Sequence, residues 1–216
     1  MLDVRAQLEA CLNGRVCFVG LGNTDLGDDG AGMRLAEALL NGLHPGAARR
    51  GEDEVFDAGA CSVVLAGTVL ERWGAALGRL DVDRFVFLDA VDFGGRPGSV
   101  VWLEGKEIQA RFPQVSTHRM SLGAWARWLE ADGSKRVWLL GVQPESLRAG
   151  RGLSAPVTAA VSALALILID ARSPRQSEMS DSKAAPMPLG PAPEETSGVV
   201  AMFGSSRISE MSNMPW

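Results

Sequence analysis

Three acids crowd one glycine-rich turn near the start of the chain: Asp25, Asp28 and Asp29 lie among Gly20, Gly22, Gly27, Gly30 and Gly32. Carboxylates at that density repel a phosphate by direct Coulomb interaction and suit a cation. A dinucleotide-binding turn is opposed for a second reason, because the third glycine of its fingerprint is replaced by Asp25. Farther along stand Asp89, near the end of an apolar run, and His118, at the start of a helical segment. Two carboxylate oxygens and one imidazole, from Asp29, Asp89 and His118, form an open donor set that accepts nickel, zinc or a similar divalent ion and leaves positions for water or substrate. The set does not choose its metal. Each residue also has a plainer role: Asp28 as a helix cap, Asp29 in the first helical turn, Asp89 as an acceptor at a strand end, His118 as an ordinary helix-start residue. Other hydrolytic chemistries leave little trace, since there is no His-Glu-x-x-His helix and no Gly-x-Ser-x-Gly elbow. Cys61 beside Ser62 could act as a nucleophile with His118 as base, but a cysteine there is more often a small core residue.

The acidic turn sits between a strand and a helix. Val16 to Leu21 is an apolar run ending in glycines, and Met33, Leu35, Ala36, Leu39 and Leu40 recur with helical spacing before Gly42. A short helix is expected over Leu2 to Leu12, a second strand over Glu54 to Ala58 and a long helix over Ser62 to Leu80. A buried strand follows over Arg84 to Val91. The next strand, Ser99 to Leu103, comes too soon for a parallel crossover and must run antiparallel to its predecessor. A helix over Thr117 to Ala131, a strand over Arg136 to Val142 and a last helix over Ser154 to Ala171, with Ser154 as its cap, complete the pattern. Nearly continuous apolar strands alternating with helices predict an α/β fold, a three-layer α/β/α sandwich around a mixed, mostly parallel sheet. Beyond that the composition turns to Ser, Pro, Gly and Met without apolar periodicity, so residues 172–216 read as a disordered tail appended to a domain over residues 1–171.

The chain has 216 residues, 46% of them hydrophobic and 22% charged, enough for one sizeable core. A formal net charge of −5 with no Lys/Arg cluster argues against nonspecific nucleic-acid binding. Three cysteines, Cys11, Cys17 and Cys61, lack both disulfide-framework and zinc-knuckle spacing, which points to a reducing cytoplasm. Acids inside the first ten residues exclude a signal peptide. The longest apolar stretch, Val157 to Ile169, is interrupted by Thr158 and Ser162 and is short of the ~20 residues a membrane span needs, so it is expected to be a core helix.

The stretch Gly20-Leu-Gly-Asn-Thr-Asp-Leu-Gly-Asp-Asp-Gly-Ala-Gly-Met-Arg resembles the N-terminal signature of the hydrogenase maturation proteases, endopeptidases that trim the large-subunit precursor of nickel-iron hydrogenases. Phe87-Leu-Asp-Ala-Val-Asp is similar to that family's third-strand acid, Ser116-Thr-His-Arg-Met-Ser-Leu to its histidine segment, and Gly141-Val-Gln-Pro-Glu-Ser and Gly152-Leu-Ser-Ala-Pro-Val to its closing motifs. The resemblance spans Val16 to Arg172. It implies a phosphorylase/hydrolase-like sheet of five strands, with the fourth antiparallel to the others. It implies that Asp29, Asp89 and His118 are the catalytic, metal-contacting residues, although some members carry Glu where this chain has Asp29. Asp57 and Gly59 are expected in the cleft wall, where they contact the substrate. The activity implied is a nickel-dependent endopeptidase that removes the C-terminal extension of a nickel-iron hydrogenase large-subunit precursor. The nickel is supplied by that precursor; no nucleotide is involved, and the partner is the precursor, met by a monomer without membrane or nucleic acid. The alternative is a nonenzymatic nickel-checking chaperone that binds the same precursor.

Overall fold

The computed structural model describes residues 11–45, 55–57, 60–112 and 120–172. At its centre lies β1 (Val16–Leu21), six residues buried on both faces, as expected of an interior parallel strand. β3 (Cys61–Gly67) pairs parallel with one side of β1 and β4 (Arg84–Ala90) with the other. β6 (Arg136–Val142) continues parallel beside β4, and β5 (Val100–Glu104) closes that edge antiparallel to β6. At the opposite edge β2 (Val55–Asp57) runs antiparallel to β3, giving the order β2-β3-β1-β4-β6-β5.

Helices cover both faces, so the expected α/β/α sandwich is the fold. On one face α1 (Ala31–Leu43) and α5 (Ala155–Arg172) pack on Phe18, Val63, Val86, Leu88 and Leu140. The other face buries Val19, Phe87 and Leu139 under Trp73, Leu77, Trp125 and Leu129, which come from a 3₁₀ turn (Leu70–Trp73), α2 (Gly74–Arg79) and α4 (Leu122–Leu129). A short α3 (Gly105–Arg111), closed by a reciprocal Glu104–Glu107 capping box, was not anticipated. α4 is the described part of the helix expected over Thr117 to Ala131, and the Ser121 hydroxyl caps it by accepting from Ala124 N at 3.1 Å. By length and composition alone α5 could cross a membrane, but its stripe of Val157, Val161, Leu164, Ala165 and Leu168 is buried in the core beside α1.

The sheet has six strands, not five, and two of them are antiparallel. The difference lies in the segment expected as one helix over Ser62 to Leu80. Its first part, Cys61-Ser-Val-Val-Leu-Ala-Gly, is β3, with Val63 and Val64 fully buried on opposite faces. A short apolar run is compatible with either element until a neighbour offers a ladder; here Phe18 stands opposite Val63. The helix over Leu2 to Leu12 falls mostly outside the described residues, and the tail beyond Arg172 falls wholly outside them.

Two buried polar side chains order the loops at the carboxyl edge of the sheet. Asp28, 1% exposed, accepts backbone N–H bonds from Glu145 (2.8 Å), Ser146 (3.0 Å) and Ser154 (2.6 Å). It is therefore a clip between distant loops and not the helix cap expected; no side chain caps α1, which follows Gly30. Gln143 accepts from Phe93 N and Gly95 N and donates to Asp92 Oδ1, holding the β4–β5 loop.

At the other end of the molecule the Arg172 guanidinium donates to the carbonyls of Leu12, Gly14 and Ala60, tying the end of α5 to the approaches to β1 and β3. Arg172→Ala is expected to lower stability by about 2 kcal/mol, the scale of hydrogen bonds from a charged group, with Arg172→Lys recovering only part because a point charge cannot reproduce the fork. Urea unfolding checks it, and a loss below about 0.5 kcal/mol would show the tie to be incidental. A truncation that retains Arg172 keeps this tie; one ending at Ala171 removes it.

Candidate active site

A cavity of about 250 Å³ opens at the carboxyl ends of β1, β3 and β4, lined among the described residues by Gly22, Gly67, Thr68, Asp29 and Asp89. In open α/β sheets the crevice outside the strand ends, where the chain order turns from one side of the central strand to the other, is where ligands bind. Of the two parallel neighbours of β1 that follow α1, β3 lies on one side and β4 on the other, so the cavity is at that switch point.

The sequence places Asp29 here through close backbone packing. Gly22 has φ +109° and a Cβ on it would come within 1.9 Å of the Asp29 carbonyl oxygen; only glycine lets the turn fold back this tightly. Asn23 N then donates to Asp29 Oδ2 at 2.7 Å and aims the carboxylate. Gly32 plays the matching part for the helix, since a Cβ there would meet the Leu88 carbonyl oxygen at 2.0 Å. α1 thus lies directly on β4, and Asp29, on the 3₁₀ turn Gly27–Gly30 before it, is brought beside the end of that strand.

Asp89 is the penultimate residue of β4 and accepts from Ala90 N at 2.9 Å. Burial pushes its carboxyl up from 3.8 to about 7; the Ala90 bond opposes the shift, and the negative charge of Asp29 adds to it. A carboxyl raised toward neutrality, in a cleft and beside a second acid, is a candidate for a functional site. Above pH ~7 it offers a ligand oxygen and below it holds a proton. The pair of acids faces an apolar wall of Leu21, Leu70, Leu122 and Trp125.

His118 lies outside the described residues, as does Gly59. Met120, two positions after His118, lines the cavity. Among the described residues no three His, Cys, Asp or Glu side chains are grouped to hold an ion by themselves. Asp57 is not brought to this cleft: its backbone pairs with Ser62, five residues before Gly67 on β3, which at ~3.3 Å per residue is about 16 Å from the strand's cleft end. Gly67 and Thr68 occupy the wall where Asp57 and Gly59 were expected. Cys61 opens β3 opposite Val16, at the end of the sheet far from the cavity, and is 7% exposed in the core, so its position excludes it as a nucleophile there. Sequence reasoning missed Gly67, Thr68 and Glu71, all lining the cleft, because it placed them inside a helix; the glycine ending a run with two adjacent valines was the available signal.

The family model of the hydrogenase maturation proteases (HycI) matches residues 34–171, which include Asp89 and begin just after the acidic turn. The chain is 30% identical to the hydrogenase 2 maturation protease of Escherichia coli K12 over 152 residues, covering 68% of this chain and 84% of that protein. Its fold is similar to that of a maturation protease HycI from Thermococcus kodakarensis (TM-score 0.62, 23% identity, 76% of this chain and 97% of that one). It also resembles the endopeptidase HycI from Escherichia coli (TM-score 0.55, 26% identity, 72% and 90%). With the family model running from α1 to within one residue of the end of α5, and a 30% identical relative covered over most of its length, the chain belongs to the hydrogenase maturation proteases, a family of peptidases.

Proposed function

We propose that this protein is a nickel-dependent endopeptidase that removes the C-terminal extension of a nickel-iron hydrogenase large-subunit precursor once nickel has been inserted. The observation that carries the reading is the convergence of Asp29 and Asp89 on one cleft, with Asp89 titrating at about 7. Asp29, Asp89 and His118 read the precursor's own nickel, and two carboxylates with one imidazole suit a borderline divalent ion while leaving positions for the precursor's ligands. Hydrolysis adds a water oxygen to the scissile carbonyl carbon, breaks the C–N bond and passes a proton to the leaving amine. The apolar wall of Leu70, Leu122 and Trp125 supports the peptide beside the acids. We place the reaction in the cytoplasm and assign it to a monomer; the burial of Cys11, Cys17 and Cys61 as thiols agrees with a reducing compartment.

The test is processing of apo and nickel-loaded precursor, read by mass, from pH 5 to 8. Only the loaded form is expected to lose its C-terminal segment. Asp89 must be ionised to bind metal, so kcat/KM should fall roughly tenfold per pH unit below pH ~7. Equal cleavage of both precursors would remove nickel as the recognition device. Binding of the loaded precursor without any mass loss would identify a nonenzymatic nickel-checking chaperone instead.

A further inference from the structure

Glu71 belongs to no expected donor set, yet it stands on the cleft wall beside Asp29 and Asp89. It lies on the 3₁₀ turn Leu70–Trp73 that follows β3, and its Oε1 accepts the Met120 N–H at 3.0 Å across 49 positions of sequence. The two partners come from separate segments that both line the cleft: Gly67, Thr68 and Leu70 belong to the end of β3 and the turn after it, Met120, Leu122 and Trp125 to the start of α4. Met120 is immediately followed by Ser121, the cap of α4, so this bond ties the start of α4, with Leu122 and Trp125, to the turn that carries Glu71. Met120 is 40% exposed, and water can take over at its amide, so losing the bond costs little folding free energy. Its effect on geometry is larger, because a misplacement on the order of 1 Å in a substrate-positioning wall can reduce a rate by roughly a hundredfold.

We infer that Glu71 is a positioning residue for peptide processing: through the Met120 amide it fixes the start of α4 against the turn after β3, and with it the pose of the substrate chain against Asp29 and Asp89. The inference rests on the reading of this cleft as the protease active site. Wild-type processing of nickel-loaded precursor is therefore measured first, and absence of product there overturns that reading whatever Glu71 does. Given product, Glu71→Gln keeps an oxygen for the Met120 amide and loses the charge; it should stay within about threefold of wild type with the same pH profile. Glu71→Ala loses the oxygen as well and should drop kcat/KM by about tenfold or more, with a thermal midpoint within about 2 °C and faster hydrogen exchange at the Met120 amide. Should the alanine variant fail to fold, Glu71→Asp, one methylene short of the amide, takes its place and should show the same loss. Equal impairment of the glutamine and alanine variants would assign the effect to charge and overturn positioning. So would an alanine variant, or its aspartate substitute, within threefold of wild type.

Discussion

Asp89→Asn is expected to yield a protein that processes precursor about a thousandfold more slowly or worse and yet melts at a higher temperature than the wild type at pH 8. The carboxyl of Asp89 is raised from 3.8 to about 7 in the folded chain, so folding favours its protonated form. The Asp89 contribution to stability is then largest in acid, falls as the pH rises from about 4 to 7, and stays low above that as the ionised group is retained in a cleft that disfavours it. At 1.36 kcal/mol per pH unit the cost above neutrality is at most about 4 kcal/mol, and partial exposure to water reduces it to on the order of 1–3 kcal/mol. Asparagine removes that cost and keeps the side-chain shape, for a gain of roughly 3–9 °C in a domain of this size. The same change removes a carboxylate oxygen proposed to contact the precursor's metal, and processing should fall by about a thousandfold or more. Melting curves at pH 5 and pH 8 with a mass-based assay check both halves. Retained processing would show that Asp89 has no catalytic role, and a midpoint lowered at both pH values would show that its carboxylate is a structural acceptor only.

Asp28→Ala, one residue from the proposed metal-contacting acid, should fail for the opposite reason. Three backbone donors, of Glu145, Ser146 and Ser154, converge on its carboxylate, and the side chain is 1% exposed. Removing the acceptor leaves those N–H groups unpaired at about 1–3 kcal/mol each, a total on the order of 3–9 kcal/mol against a typical domain stability of roughly 5–15 kcal/mol. The pH dependence also separates the two acids. Burial alone would raise the Asp28 carboxyl, but the hydrogen bonds from Ser154, Glu145 and Ser146 outweigh it and hold it below the ordinary 3.8. Its contribution is therefore present above pH ~4 and lost as the pH falls through the lower folded value, and the alanine variant should lack that acid-dependent part. Urea titrations at pH 7 and pH 3 measure it. An alanine variant within about 1 kcal/mol of wild type at pH 7 would show the clip to be dispensable.

Much of this was legible in the order of residues because it depends on neighbours a few positions apart. The run Val16 to Leu21, the glycines after it and the period of Met33 to Leu40 specify strand, turn and helix locally, and the turn's acids exclude a phosphate by charge alone. The direction of β5 followed from a connection too short for a parallel crossover. Adjacent Asp28 and Asp29 have the same chemistry, and no local rule assigns one to three backbone donors and the other to a cleft. That division is made by loops 117 to 126 positions away: the Glu145 and Ser146 amides follow the end of β6 and the Ser154 amide precedes α5, and the assembled fold brings all three to Asp28. Cys61 to Gly67 likewise has no local preference strong enough to choose strand over helix, and pairing with β1 makes the choice. Once that segment is a strand, Asp57 is carried to the far end of the sheet, and Gly67, Thr68 and Glu71 are carried to the cleft. Burial and partners separate residues of identical type, and both are properties of the assembled sheet that no stretch of chain holds alone.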